Sequence, residues 1–260
     1  MNHRPRRRFG QHFLESEAVL EEMAQRLGYQ SDDPVLEIGP GEGALTRHLV
    51  AASNDVTVVE IDRDLVALLK QRFPGLRIIE ADVLRLDLEP LLTPGRRVVG
   101  NLPYNISTPL LLRLLESLGE IRDLHFLLQK EVVDRLAASP GTKDWGRLSI
   151  VAQYAARVEP LFDVGPESFR PPPKVMSTFV RITPRPNPLP LQSREAFVVV
   201  LRTAFQQRRK TLRNALQSLE LDWGRVDVDP GIRPDAVDLV GYVNIANLLA
   251  DQINERRDHE

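Results

Sequence analysis

The glycine cluster Gly39-Pro40-Gly41-Glu42-Gly43 constrains this chain most, because it stands between a short apolar β-type run, Val35–Ile38, and a helix-type stretch, Ala44–Ala52. Glycines at a strand-to-helix junction let the backbone approach a ligand closely and leave the helix N-terminus open. The same alternation continues downstream. Val56–Ile61, Leu76–Glu80, 97–100 and Leu124–Leu128 read as strands, while Asp64–Phe73, Ser107–Leu118 (with Pro109 in its first turn), 130–138 and 147–156 read as helices. An amphipathic helix over 16–27 precedes the set, and Val158–Val164 and Met176–Ile182 close it as two strands around the Pro-rich loop 165–174. Strands interleaved with helices predict an α/β domain: a mostly parallel sheet with helices on both faces.

The pattern breaks at Thr183–Pro190, where four prolines in eight residues can continue neither a helix nor a central strand. This reads as a stiff, extended linker. Beyond it, 193–219 and 241–256 show helical periodicity with no strand signal between them. The expected division is therefore an α/β domain over 1–184 and a small all-helical domain over 185–260.

Charge matters here through its distribution. The net charge is only −2, but Arg4, Arg6, Arg7 and Arg8 form one acid-free basic stretch, and Arg202, Arg208, Arg209, Lys210 and Arg213 form another. Local basic clusters in a balanced chain suit a protein that presents particular faces to a polyanion, although a run such as Arg208-Arg209-Lys210 also suits a solvated helix face. With no cysteine, disulfides, thiolate metal sites and a cysteine nucleophile are excluded, and the five histidines are scattered, so no metal site is expected. No apolar run approaches the roughly 20 residues that span a bilayer, and the Arg-rich start lacks the apolar segment of a secretory signal. A cytoplasmic protein without membrane contact is expected.

Three further signals fall at predicted strand ends. Glu60 closes the strand after the glycine loop, where a carboxylate can accept both hydroxyls of a ribose; this fits a nicotinamide dinucleotide and S-adenosylmethionine equally. Asp82 follows the next strand, where it can accept from the exocyclic amine of a cofactor adenine. With Gly39 and Gly41, these acids converge on one crevice outside the carboxyl edge of a sheet. The strand 97–100 ends at the same edge in Asn101-Leu102-Pro103-Tyr104, which is expected to stand on a loop. As a bare tetrapeptide it reads either as a strand-capping turn or as a grip on an aromatic amine. In the second reading, the Asn101 amide oxygen and the Leu102 carbonyl accept the two N–H bonds of the amine, Pro103 stiffens the backbone and Tyr104 stacks on the base. A dehydrogenase has no need of such an element.

These residues carry a family resemblance. Gly39-Pro-Gly-Glu-Gly43, Glu60, Asp82 and Asn101-Leu-Pro-Tyr-Asn-Ile-Ser-Thr-Pro109 resemble the ribosomal RNA adenine dimethyltransferases. Arg8–Leu14, Leu128–Val132, Phe169-Arg-Pro-Pro-Pro-Lys-Val175 and Ala204–Asn214 extend the likeness from about residue 7 to about residue 247. The last two stretches resemble the branch that dimethylates two adjacent adenosines near the 3′ end of small-subunit ribosomal RNA, rather than the large-subunit branch that confers macrolide resistance. The resemblance implies a Rossmann-like S-adenosylmethionine-dependent methyltransferase domain with a small helical domain. It implies cofactor contacts from His12, Leu14 (through its backbone), Gly39, Glu60, Asp82 and Asn101. It places the target adenine on Asn101, Leu102, Pro103 and Tyr104, with Phe169 on its other face, although Phe169 by itself also reads as a core residue. Arg208, Arg209, Lys210 and Arg213 would meet RNA phosphates, the partner being small-subunit ribosomal RNA or an assembling small subunit, met by a monomer. A non-catalytic RNA-binding assembly or transcription factor on the same fold and an NAD-dependent oxidoreductase stand as the other readings.

Overall fold

The computed structural model describes residues 11–119, 121–186 and 188–258, so the basic cluster Arg4, Arg6, Arg7 and Arg8 lies outside the described residues. The chain separates into two compact units, Met1–Val133 with Ala156–Pro184, and Asp134–Ala155 with Arg185–Glu260.

The first unit is built on a seven-stranded sheet. In chain order its strands are β2 (Pro34–Ile38), β3 (Asp55–Glu60), β4 (Arg77–Glu80), β5 (Arg97–Asn101), β6 (Asp123–Gln129), β7 (Ala156–Val164) and β9 (Ser177–Pro184), arranged in the order β4-β3-β2-β5-β6-β9-β7. β4 through β6 run parallel, and β9 is antiparallel to both β6 and β7. A separate two-stranded ribbon pairs β1 (Phe13–Leu14) with β8 (Phe169–Arg170). Helices α1 (Glu17–Leu27), α2 (Thr46–Ala52), α3 (Arg63–Arg72) and α4 (Tyr104–Glu116) lie between the strands, and α5 (Lys130–Leu136) begins in this unit and ends in the second. The buried faces of α1 (Leu20, Met23, Leu27) and α3 (Leu65, Val66, Leu69) follow the three-to-four spacing of an amphipathic helix. Asp62 caps α3 by accepting from the Asp64 N–H at 3.1 Å.

The order of the parallel strands reverses between β2 and β5, and two devices fix their relative register. At the amino ends, Arg97 pairs through two nitrogens with Asp123 (3.0 and 2.7 Å) and through a third with Asp33 (2.9 Å), all three groups buried. Burial pushes the Asp123 carboxyl up, but the His125 ring beside it (Nδ1 at 3.4 Å) and the hydrogen bonds from Arg97 outweigh it and hold the group at about 2. A buried ion network of this kind is weak evidence for added stability; its clear effect is to tie β2, β5 and β6 at one end. At the other end, Gly100 on β5 lies so close to β2 that a Cβ there would stand 2.4 Å from the Ile38 carbonyl oxygen.

Three expectations are corrected. The helix expected from Ser107 begins at Tyr104, because Pro103 (φ −54°, ψ 134°) supplies an extended cap whose carbonyl accepts from the Ile106 and Ser107 N–H groups at 3.1 Å. The tetrapeptide Asn101–Tyr104 is thus no free loop but a strand end, a two-residue link and a helix start, and Pro109 lies inside the helix. The helix expected over 193–219 breaks into α7 (Arg194–Gln206), α8 (Leu212–Ala215) and a short 3-10 turn, because Thr211 caps a new helix by accepting from Asn214 N. Finally, residues 134–155 belong with the second unit rather than the first.

That second unit is helical: α6 (Arg147–Ala155), α7, α8 and α9 (Leu239–Asp258) surround a core of Trp145, Ile150, Phe197, Leu201, Leu212, Tyr242 and Ile245. Trp145 explains the segment's membership. Its ring is 1% exposed in this core, and its Nε1 donates to the Val237 carbonyl at 2.9 Å. Tyr242 Oη likewise donates to Pro234 O at 2.7 Å.

We predict that Gly100→Ala destabilises the protein by about 2–3 kcal/mol, since the added methyl meets backbone rather than a side chain that can rotate away. Urea unfolding should show a lower midpoint at an unchanged denaturant dependence.

Candidate active site

A cavity of about 320 Å³ opens at the carboxyl ends of β2, β3, β4 and β5. Its walls include His12 and Leu14 of the N-terminal segment, Gly39, Gly41 and Glu42 of the glycine loop, Glu60 and Ile61 after β3, Asp82 after β4, and Asn101 through Tyr104 after β5. The location follows from topology, because the strand order reverses here and the flanking loops part to leave a crevice.

The glycine loop forms one wall. Gly39, Gly41 and Gly43 all have positive φ (69°, 59° and 85°), a conformation open to glycine and strained for other residues. A Cβ at Gly41 would meet the Phe13 ring at 3.0 Å, so this loop packs directly under the N-terminal segment. The Gly39 N–H donates to Val59 O at 3.0 Å and the Ala81 N–H to Glu60 O at 3.0 Å, which ties the ends of three strands together.

Two carboxylates lie beneath the loop. Glu60 is 5% exposed and accepts from the N–H groups of Ile61 and Asp62 at 2.9 Å and of Gly41 at 3.3 Å. A carboxylate offers about four acceptor positions, so these bonds fix its orientation and leave capacity for a ligand hydroxyl. Burial raises its pKa, opposed by those backbone bonds. Glu37 was not singled out by sequence, although an acid inside the apolar run Val35–Ile38 was a visible anomaly. It is fully buried and accepts from Thr46 Oγ at 2.6 Å. Burial, with the Glu60 charge adding to it against the Thr46 bond, pushes its pKa up to about 8, so Glu37 carries a proton at neutral pH. Ile61, another residue sequence reasoning missed, is 42% exposed next to Glu60 and offers an apolar edge for a flat ring. Asp82 accepts from Leu84 N at 3.0 Å, which turns its carboxylate at the cavity rim.

The acceptor end is held from several directions. Asn101 Nδ2 donates to the His12 carbonyl at 3.0 Å, which assigns Oδ1 as the atom left to accept. Leu102 is buried, anchoring the link between strand and helix. Tyr104 Oη exchanges a hydrogen bond with Ser177 Oγ at 2.9 Å, and its ring stacks on His12 with centroids 5.5 Å apart and planes 27° apart. Burial raises the Tyr104 pKa against that bond, so the hydroxyl stays protonated.

Two groups of expected site residues are placed differently. Phe169 is 5% exposed and packs in the core with Leu14, Leu20, Leu127 and Phe179, away from the cavity wall. Its pairing with Leu14 in the β1–β8 ribbon turns the side chain inward, and the ring stacked on Tyr104 is His12 instead. Among the basic residues, Arg208 is engaged within the helical unit: Nη2 donates to Trp145 O at 2.9 Å and Lys143 O at 3.1 Å, and its guanidinium lies 5.9 Å from the Phe205 ring centroid. Arg209, Lys210 and Arg213 are exposed, on the turn and first residues after α7.

The residues fit an adenosyl-sulfonium cofactor. The loop is a cradle that side chains would fill, one oriented carboxylate retains acceptor capacity, and an exposed apolar edge lies beside it. Fold and site together define a Rossmann-like methyltransferase, whose cofactor is S-adenosyl-L-methionine. The model of the ribosomal RNA adenine dimethylase family matches residues 2–227. The chain is 49% identical over 258 residues to the ribosomal RNA small subunit methyltransferase A of Pseudomonas fluorescens, covering 96% of each. To the protein of the same name from Hahella chejuensis it is 47% identical, over 96% of this chain and 95% of that one. Among solved structures, a dimethyladenosine transferase from Plasmodium falciparum shares the fold (TM-score 0.77, 24% identity, 94% of this chain and 98% of that one). The 23S rRNA methyltransferase ErmE is also similar (TM-score 0.74, 26% identity, 92% and 99% coverage). This chain belongs to the ribosomal RNA adenine dimethylase family. The oxidoreductase reading falls with that result.

The proton on Glu37 yields a prediction. A carboxyl whose pKa is raised on folding contributes stability that is fully present below its unfolded value of 4.5 and is lost as pH rises through about 8. Glu37→Gln, which keeps the shape of the protonated acid, should remove this decline. Unfolding free energies measured across that window should fall with pH in the parent protein relative to the variant; parallel profiles would show that Glu37 is ionised.

Proposed function

We propose that this chain dimethylates the N6 amines of two adjacent adenosines near the 3′ end of small-subunit ribosomal RNA, acting as a cytoplasmic monomer on an assembling small subunit. The observation that carries the reading is the meeting of Asn101–Tyr104 and the Glu60 carboxylate on the walls of one cavity. The relatives named for small-subunit methylation, matched over nearly their whole length, support the choice of RNA. Among the described residues, no helix is long and apolar enough to cross a membrane.

The chemistry asks little covalent participation of the protein. S-adenosylmethionine, when bound, supplies a methyl group on a sulfonium whose leaving group is neutral. The amine of adenine is a weak nucleophile because its lone pair is delocalised into the ring. Asn101 Oδ1 and the Leu102 carbonyl accept its N–H bonds and favour a pyramidal nitrogen, while Tyr104 aligns the ring. Asn101 stays in this role because its amide nitrogen is committed to His12 O. Residues Glu60, Asp82, Gly39, Gly41, His12 and the Leu14 backbone hold the cofactor side. Each transfer turns the sulfonium into a neutral thioether and leaves the positive charge on N6, which releases a proton to solvent; after the first transfer the nitrogen retains one N–H, so a single acceptor suffices for the second.

A stacked duplex base is inaccessible to such a pocket, so single-stranded or loop adenosines are the targets. Arg209, Lys210 and Arg213 supply phosphate contacts, with Arg208 shaping the turn that carries them.

The direct test is incubation with labelled S-adenosylmethionine and small ribosomal subunits lacking these methyl groups. Label recovered as dimethyladenosine is expected; particle binding without methyl transfer would favour a non-catalytic assembly factor. Asn101→Ala should lower kcat by on the order of 100-fold, the scale of losing one preorganised polar contact. Replacing Arg209, Lys210 and Arg213 with Gln should flatten the salt dependence of RNA binding by about 0.7–0.9 per lost phosphate contact. An unchanged slope in a salt titration would remove these residues from the interface.

A further inference from the structure

Residues 11–15 run across the cavity as a strap, and their attachments are long-range. Phe13 and Leu14 pair with Arg170 and Phe169, the Glu15 N–H donates to Ser168 O at 2.8 Å, and His12 Nδ1 lies 2.6 Å from Pro171 O. Gln11, His12, Phe13 and Leu14 all line the cavity. The His12 carbonyl also accepts from Asn101 Nδ2 at 3.0 Å, and a further group presses this backbone against the glycine loop on the facing wall.

Arg170 occupies that position. Its Nη2 donates to Glu42 Oε2 at 3.1 Å, its Nε donates to the Glu15 carboxylate, and its guanidinium carbon lies 5.8 Å from the Phe13 ring centroid. Glu42 belongs to the glycine loop, and Arg72 Nη1 grips its carbonyl at 2.6 Å. One planar fork on β8 therefore touches the strap, the glycine loop and the ring that roofs Gly41. We infer that Arg170 is a positioning residue that closes the N-terminal strap over the glycine loop and so sets cofactor affinity. The inference rests on the reading of this cavity as the S-adenosylmethionine site.

Exposure tempers the size of the effect. Arg170 is 33% exposed and Glu42 20%, and a single ion pair of that kind contributes little. Two carboxylates on one guanidinium form a network, and its geometry needs the fork: a lysine ammonium is a compact point charge on a flexible stem. Arg170→Lys should therefore recover only part of the function.

The test has two arms. In the cofactor-free protein, Arg170→Gln should speed amide hydrogen exchange over residues 11–16 by about tenfold while β5 and β6 keep their protection. By calorimetry, its Kd for S-adenosylhomocysteine should rise about fivefold to tenfold, with the KM for S-adenosylmethionine following and kcat at saturation little changed. Glu42→Gln should act in the same direction, and the double variant should be no worse than the worse single one. Unchanged strap exchange in Arg170→Gln overturns the inference, as does an Arg170→Lys protein that matches the parent in both arms. The exchange arm needs no cofactor. A parent protein that failed to bind S-adenosylhomocysteine would sink the functional reading, and strap exchange would still decide the role of Arg170.

Discussion

The approach of β5 to β2 governs the site. The Ile38 carbonyl occupies the space a side chain at residue 100 would need, so Gly100 brings Asn101 in beside the glycine loop that follows Ile38. Parallel pairing has a period of two, and a one-residue slip would point Asn101 to the opposite face. The buried Arg97–Asp33–Asp123 network prevents such a slip from the far end of the same strands. Strand β5 is thus pinned at its first residue by charge and near its last by close packing. An amide that accepts from a weak nucleophile, as proposed for Asn101, must not wander, and both ends of its strand ensure that it does not.

Hydrogen-bond saturation continues this logic within the cavity. Asn101 spends its donor on His12, Glu60 spends much of its acceptor capacity on three backbone N–H groups, and Tyr104 spends its hydroxyl on Ser177. Each bond removes a rotational choice and leaves a defined remainder: an oxygen at Asn101, part of a carboxylate at Glu60, a ring face at Tyr104. Alignment catalysis depends on such remainders, because groups already oriented need no reorganisation when charge develops.

Much of this was legible in the sequence because it follows from chain period alone. Alternating strand and helix signals put Gly39, Glu60, Asp82 and Asn101 at successive strand ends, and parallel strands bring such ends to one edge. What sequence did not reveal depends on partners far along the chain. Phe169 lies in the core because β8 pairs with residues more than 150 positions earlier. Arg208 is spent on the carbonyls of Lys143 and Trp145, and Trp145 draws residues 134–155 into the helical unit through contacts with α7 and α9. The Pro-rich linker marked one of the three crossings between units, and nothing so conspicuous marked those at Val133–Asp134 and Ala155–Ala156. Glu37 was missed for another reason: burial, which local pattern reports poorly, is what turns an ordinary strand acid into a protonated one.

The contrast between Arg208 and its neighbours separates two kinds of polar residue in this protein. Arg208, Arg97 and Arg170 are each fixed by several intramolecular acceptors, and their work is to hold backbone in place. Arg209, Lys210 and Arg213 are exposed, and under the proposed function their long side chains follow a phosphate backbone whose path varies. Contacts of the second kind supply affinity that salt can erode, since each phosphate neutralised releases counterions. Contacts of the first kind supply geometry, which salt barely touches because the groups are buried or multiply paired. Under the proposed function both are needed, and a charge that served both ends would compromise each: an arginine loose enough to track RNA could not fix a loop, and one that fixes a loop is not free to follow a phosphate.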